Sequence, residues 1–488
     1  MDFEQPVIIG VGEVKNRSAE PDDAVEPLEL MLQALKGAIQ DSAPSETLIN
    51  KIISDIDSLS VVASSTWPYK DLPTQIAQKL GAKPAWKVYS GLTGNSPVEM
   101  VDDIAQRIAK REAEVGVVVG GEAFASWLAK IHRIGVPMQI YPLYENGRRA
   151  RLGQTIEENH EESAALYGKF AQVAAMNPMS WNYGKEQQTA ESIGTITGRN
   201  RMICFPYPLL MNAFNDVNLA SACLMTSRSY AEKMGIPKER WIYPIGAGRG
   251  SDTEEFWKRA NFHSSPAIQQ ALDMALDTSE LQKEDIDIFD FYSCFPIVPK
   301  LACEHLGIPL LSSSKPITLL GGLTSFGGAG ANYSMHAMAE MVRQLRQIGK
   351  SKHANGLILA NGGVLTYENA ICFSSHLQSS NKPYPHRIGN RIQCGTSSMV
   401  PVSYTAEGEV EIETYTVEYD RQNNPKLGHI ICRLKSNHCR VVANHADDKT
   451  LERLASRREE PIGRYGYVWT SETVPGQNLF SFDRKIKL

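Results

Sequence analysis

The sequence lacks the features of a membrane-spanning or nucleic-acid-binding chain. No stretch reaches the roughly 18 uninterrupted apolar residues that a spanning helix needs. Lys and Arg number 50 against 55 Asp and Glu, a formal net charge of −5, and no basic block carries interleaved aromatics. Nucleic acid and a polybasic membrane anchor are therefore excluded as expected partners. The eight cysteines are scattered, with no Cys-x-x-Cys pair and no secretory leader ahead of them. That pattern excludes a disulfide framework and points to reduced thiols in an intracellular, cytoplasmic compartment. No His or Cys group, His438-Cys439 included, has metal-ligand spacing, so no metal is expected. The tail Ile486-Lys487-Leu488 shares two of three positions with the peroxisomal Ser-Lys-Leu signal, which leaves a peroxisomal address as the alternative to coincidence.

What is abundant is glycine in one place. Residues 321–330 hold five glycines, and an apolar-periodic run from Tyr333 to Ile348 follows directly. Such a stretch cannot hold a helix or strand, so it reads as a glycine loop feeding a helix N-terminus, where free backbone N–H groups face outward. Met335, Ala339, Val342, Leu345 and Ile348 supply the apolar face, and Gly356 to Leu365 then reads as a short buried strand ending in a Gly pair.

The first half carries the same order. A strand at Val7, a helix from Pro27 to Ile39, a strand at Asp55-Ile56-Asp57 and a helix at Leu72–Leu80 lead to a second glycine turn, Ser90–Pro97. Pro97 suits the first turn of the helix that runs on to about Lys110, and the strand from Val115 ends in Gly120-Gly121. In the second half a helix from Pro266 to Leu276, the matching Asp285-Ile286-Asp287 entry, the loop before Asn332 and the pair Gly362-Gly363 repeat this pattern. Two β/α copies with continuously apolar strands predict parallel sheets covered by helices, a duplicated α/β fold of five layers. The stretch over about 126–215 is less periodic and reads as a loop insertion, and Asp216 onward as a strand returning to the first sheet. From about Lys382 the pattern alternates, as in Glu409–Val417, which predicts an antiparallel, barrel-like β domain. The expected division is 1–250, 251–380 and 381–488. Nothing in the last segment looks catalytic.

The duplication and the two glycine loops resemble the thiolase superfamily of acyl-CoA enzymes over about residues 1–380. Gly321 to His336, Asp290-Phe291-Tyr292-Ser293-Cys294-Phe295 and the added C-terminal domain more narrowly resemble the thiolase-like proteins of type 1. The resemblance implies a thiolase-like αβαβα fold and CoA or acyl-CoA as substrate or ligand, with no permanently bound cofactor. It also puts the superfamily's nucleophilic Cys on Gly94 or Asn95, its Gly-His-Pro histidine near Gly328, and its second Cys near Ala360. None of these positions carries the expected group. The glycine turns survive: the loops Gly91–Asn95, with Gly94, and Gly327–Asn332, with Gly328, are expected to hold a thioester oxygen, and Ser96, Gly362 and Gly363 to contribute to binding the same ligand.

Tyr292, Cys294 and His336 are the candidates for proton transfer or nucleophilic work, with His305 a further imidazole for the thiol. Each has a packing alternative, a buried thiol, a buried hydroxyl on a carbonyl, or a histidine between the two halves, and N-capping explains Asn332 and Ser96 without function. Arg249 in Gly246–Gly250, His132-Arg133 and the Arg148-Arg149-Ala-Arg151 cluster are candidates for phosphate, although the glycine run reads more simply as a turn. The reading that follows is an acyl-CoA-binding acyltransferase without the usual Cys/His/Cys set. The alternatives are a catalytically silent CoA- or lipid-binding protein and a retro-aldol lyase on a CoA thioester. Either a monomer or a homodimer is expected.

Overall fold

A computed structural model describes residues 4–16, 25–43, 45–64, 69, 71–123, 134, 136–377, 384, 399–474 and 476–484. The chain begins with β1 (Pro6–Lys15), α1 (Pro27–Ser42), α2 (Glu46–Asp55), β2 (Ile56–Val61), α3 (Leu72–Leu80), β3 (Trp86–Tyr89), α4 (Ser96–Ala109) and β4 (Val115–Ala123). Prolines at the first turns of α1, α3 and α4 fit positions whose N–H would be unpaired in any case. Next come α5 (Pro137–Leu152), α6 (Ile156–Met176), α7 (Ala190–Gly194), β5 (Met202–Cys204) and β6 (Tyr207–Pro208), then β7 (Asn218–Ser227) and α8 (Arg228–Lys233). The insertion expected as loops is thus built largely on two long helices. Its periodicity is masked because α5 buries polar residues as well as apolar ones, Gln139, Glu145, Asn146, Arg148 and Arg149 among them.

The second half follows as β8 (Tyr243–Ser251), α9 (Pro266–Ser279), β9 (Ile288–Phe291), α10 (Ile297–Leu306), α11 (Tyr333–Ile348), β10 (Asn355–Gly362) and β11 (Tyr367–Ser374). The helix expected after the glycine loop has the bounds read from its periodicity. The first sheet has the order β1-β7-β4-β2-β3 and the second β8-β11-β10-β9. Helices α4 and α11 touch both sheets, α1 and α3 cover the far face of the first, and α9 and α10 that of the second. Five layers result.

Two expectations are corrected. The sheets are mixed, since β7 runs antiparallel to β1 and β4, and β11 antiparallel to β10 and β8. Only Gly363–Thr366 separate β10 from β11, too few residues for the crossover that parallel strands require. Gly246–Gly250 is not a turn but part of β8, in the second sheet, so the chain enters its second half ahead of residue 250. Gly246, Gly248 and Gly250 face α9 at alternate positions, and a Cβ on any of them would overlap the backbone of that helix. Glycine here permits close helix–sheet contact.

The C-terminal strands β12 (Gly408–Tyr419), β13 (Pro425–Leu434) and β14 (Arg440–His445), with α12 (Asp448–Ala455), β15 (Tyr465–Thr470) and β16 (Asn478–Ser481), complete the chain. They close into a barrel in the order β12-β13-β14-β16-β15, with β15 pairing back to β12. Its core of Val410, Ile412, Tyr415, Val417, Ile430 and Phe480 is separate from the main one. Thr414 Oγ1 donates to Leu143 O and Asn146 Nδ2 to Tyr415 O, which fixes β12 onto α5. Fully buried Arg440 pairs with Glu413 and donates to the carbonyls of Trp257 and Arg259, fixing the barrel onto the second half.

Candidate functional site

A cavity of about 710 Å³ opens between the two halves beneath the insertion and the barrel. Its floor is made at the ends of sheet strands: by Thr93-Gly94 before α4, by Tyr292 to Phe295 after β9, and by Asn361 at the end of β10 with Gly363 in the turn that follows. Tyr141 of α5 forms one wall, and Arg201 and Glu418 stand farther along the lining. Of the residues the sequence singles out, Tyr292, Cys294, Gly94 and Gly363 come together here.

The polar groups of the floor are interlocked. Asn361 Nδ2 donates to Tyr141 Oη at 2.7 Å and to Cys294 Sγ at 3.5 Å, and Tyr141 Oη donates to Gly363 O at 3.3 Å. The Tyr141 ring stacks on Phe295 at 4.6 Å between centroids. Burial pushes the Cys294 thiol up to about 12; the Tyr141 hydrogen bond opposes this and Glu368 adds to it. A thiol so placed is neutral at physiological pH and a poor nucleophile. Burial likewise raises the Tyr292 hydroxyl well above its ordinary value, with Cys294 and Glu368 adding to the shift. Tyr292 N–H is anchored on Leu359 O and its ring meets Tyr333 edge-on, while its hydroxyl has no hydrogen-bond partner among the described residues. Tyr292 therefore presents a firmly held proton to the cavity.

Gly94 explains the missing nucleophile. A Cβ at this position would overlap Asn361 O and approach Tyr292 Oη to 2.8 Å. The space a cysteine side chain would take is filled by the tyrosine and by backbone.

The two glycine loops use their asparagines alike, and not as caps. Neither Asn95 nor Asn332 makes a side-chain capping bond. Each crosses instead to the opposite half: Asn332 Nδ2 donates to Gly120 O at 2.8 Å, and Asn95 Nδ2 to Asn369 Oδ1 at 3.0 Å. A Cβ on Gly120 would overlap Asn332 Oδ1, and one on Gly362 would overlap Asn95 Oδ1. The repeated glycine pairs thus make room for the asparagine of the other repeat. Ser96 Oγ donates to Gly91 O within its own loop. Gly327 and Gly328 pack on Val217 and Asn215 and, like Gly362, Asn332 and Ser96, lie outside the cavity lining.

His336 also lies outside the lining. It is fully buried with Nδ1 on Glu13 Oε1 at 2.5 Å, and Arg343 pairs with the other oxygen of Glu13. Burial raises the Glu13 pKa, but the His336 and Arg343 contacts outweigh it and hold the carboxyl below its usual range. The ionised carboxylate assigns a ring proton to Nδ1, so this is a buried hydrogen bond between α11 and β1. His305 pairs with Asp273 at 2.6 Å on the far side of α10. Arg249 is engaged by Glu99, Asp102 and Asp103. Arg148 and Arg151 pair with Glu304, and Arg149 with Glu460. These arginines are paired with carboxylates that join structural elements, whereas His132-Arg133 and Ile486-Lys487-Leu488 fall outside the described residues.

Sequence reasoning missed Tyr141, concealed in a helix with Pro142 inside it, and the barrel's share of the lining, Glu418 and Tyr419. Glu418 accepts from His429 Nε2 at 2.6 Å and from Gln139. Burial raises its pKa, and His429 more than offsets this and holds the carboxyl low. Arg201 lies on the same lining, and its described hydrogen bond goes to a carbonyl, Met202 O. It makes no ion pair with a described carboxylate.

Comparison with known proteins gives the family. The family model described as the thiolase-like protein type 1 additional C-terminal domain matches residues 395–473. Curated protein sequences give no match. Among solved structures, a monomeric SCP2-thiolase like protein type 1 from Mycobacterium smegmatis is 30% identical with a TM-score of 0.86, over 99% of this chain and 100% of that one. The Ltp2-ChsH2(DUF35) aldolase is 20% identical with a TM-score of 0.60, covering 76% of this chain and 98% of its own. An acetyl-CoA acetyltransferase from Syntrophomonas wolfei is 15% identical with a TM-score of 0.58, over 77% and 100%. The last two show the fold alone. With its duplicated five-layer core, its added barrel and a relative matched over its whole length, this chain belongs to the SCP2-thiolase-like protein type 1 family.

Proposed function

We propose that the cavity binds a CoA thioester and that the protein acts on it without a covalent acyl-enzyme, by carbon–carbon bond chemistry of the retro-aldol class. The observation that carries this is the Tyr292 hydroxyl, neutral and without a partner among the described residues, beside a neutral Cys294. Such a hydroxyl donates to a thioester oxygen and gains strength as that oxygen takes on enolate charge. In the cleavage of a β-hydroxyacyl thioester the Cα–Cβ bond breaks, the hydroxyl loses its proton as it becomes a carbonyl, and Cα gains one. No oxidant is consumed. Acyl transfer through Cys294 fits less well, because its donors hold a thiol and no imidazole lies on the described lining. Arg201, without a described ion pair, is the group placed to meet a phosphate or carboxylate of the ligand. The likeness to a monomeric relative supports a monomer.

A catalytically silent thioester-binding protein is the second reading. It is favoured by the engagement of Glu418 with His429 and Gln139, which leaves no free base on the described lining. Titration with a panel of acyl-CoAs, with free thiol release followed in parallel, tests both. Binding without thiol release, unchanged in Cys294→Ala, fits the noncovalent reading. Thiol release abolished by Cys294→Ala overturns it, and absence of binding overturns both.

A further inference from the structure

Glu368 on β11 has no exposed surface, and neither of its carboxyl oxygens has a hydrogen-bond partner among the described residues. It is the cross-strand partner of Asn361, so the two side chains stand beside each other on one face of the second sheet. Asn361 Oδ1 is likewise buried and unpartnered, while its Nδ2 is engaged with Tyr141 and Cys294 on the cavity floor. Buried polar groups are paired in the great majority of cases, and two adjacent exceptions directly behind a cavity call for a cause.

A buried carboxylate with no partner is strongly disfavoured and takes up a proton instead. The resulting acid has one O–H to donate, and Asn361 Oδ1 has lone pairs to accept it, directly or through one water. Burial raises the Glu368 pKa far above the carboxylate range, with Arg259 opposing. The charged and titratable groups around it are Arg259, with Asp252 at 3.9 Å from its Nε, Tyr141 from α5, and Tyr292 and Cys294 from the turn after β9. Arg259 supplies positive charge for the moment the carboxyl is ionised.

We propose that Glu368 is the proton reserve of this cavity, a neutral carboxylic acid that exchanges its proton with the floor across Asn361. In the retro-aldol step the Cα–Cβ and β-hydroxyl O–H bonds break together. The hydroxyl proton passes by way of an intervening water to the carbonyl oxygen of the Glu368 carboxyl while its own O–H proton passes back to form the Cα–H bond, so the acid is regenerated, protons balance and no redox partner is needed. The destination of the proton rests on the C–C reading above; the buried neutral acid does not. Glu368 acts through Asn361 and is a positioning group rather than a catalytic residue.

Infrared difference spectroscopy of the full-length protein against Glu368→Gln, without ligand and at neutral pH, reads this directly. The expected result is a protonated-carboxyl carbonyl stretch that is lost in Glu368→Gln, that shifts promptly in D₂O, and whose exchange slows in Asn361→Leu. If Glu368→Gln does not fold, the wild type labelled with carboxyl-¹³C glutamate gives the same band. Absence of the band, or a band that exchanges only when the protein unfolds, overturns the proposal. Calorimetry with acyl-CoA separates the two readings. Binding without the band sinks the acid alone, whereas the band without binding sinks the thioester reading and the proton's destination with it.

Discussion

Gly94→Ala is the substitution whose outcome follows most directly from the site's geometry. The new methyl group would overlap Asn361 O, which is backbone and cannot turn aside, and would lie 2.8 Å from Tyr292 Oη. Relief requires the loop before α4 to withdraw from the end of β10. That withdrawal strains the Asn95–Asn369 bond, at 3.0 Å, and the close approach of Asn95 to Gly362. Overpacking of a rigid site costs roughly 1–3 kcal/mol, and a buried hydrogen bond adds about 1 kcal/mol. The expected loss is therefore about 2–4 kcal/mol. Gly91→Ala, three residues away, is the control: a Cβ there meets nothing within 4 Å. Its expected effect lies within about 1 kcal/mol and is stabilising in sign. Urea unfolding followed by tryptophan fluorescence measures both. Equal midpoints for the two variants would refute the claim that Gly94 is held by Tyr292 and Asn361.

Three further outcomes are expected. Lys300, fully buried, pairs with Glu145 at 2.7 Å and Glu162 at 2.8 Å and donates to Ser163, so Lys300→Met leaves Glu145 buried without its cation. It should cost about 3–5 kcal/mol in urea unfolding, with a large part regained in Lys300→Met/Glu145→Leu. Burial raises the Asp290 pKa to about 7, although the N–H groups of Leu319 and Leu320 and the Thr318 hydroxyl favour the carboxylate. The folded chain thus holds this proton to higher pH than the unfolded one. The contribution to stability is full below the unfolded value of about 4 and is lost as pH rises through about 7. Asp290→Asn should flatten that decline; parallel slopes for variant and wild type would contradict it. Cys294 should react with iodoacetamide very slowly at neutral pH and faster only as pH rises toward its value of about 12, a profile that peptide mapping by mass spectrometry reads.

The layered core was legible because its signals are local. Helix α11 could be bounded from Met335, Ala339, Val342, Leu345 and Ile348, and the repeat from the matched glycine loops, since burial on one face leaves a periodic trace. Strand direction was not legible, because an apolar run such as β11 reads alike whichever way it runs. Tyr292 and Cys294 could be placed near a cavity because they end a recognisable strand. Tyr141 and Glu418 could not. One lies in a helix whose buried polar residues erase the amphipathic contrast, and the other arrives from a domain more than 100 residues downstream in sequence. His336 shows the converse case. Its position one turn into α11 suggested chemistry, but its partner Glu13 lies 323 residues away and holds it in an interior hydrogen bond.

In the proposed reaction Tyr292 polarises a bound thioester in this cavity. The most direct measurement is single-turnover cleavage of β-hydroxyacyl-CoA by wild type and Tyr292→Phe, with binding followed in parallel by calorimetry. Loss of one preorganised donor to a developing oxyanion lowers turnover by about 10²–10³-fold. That fall is expected with the dissociation constant nearly unchanged. Cleavage at an undiminished rate in Tyr292→Phe would contradict it.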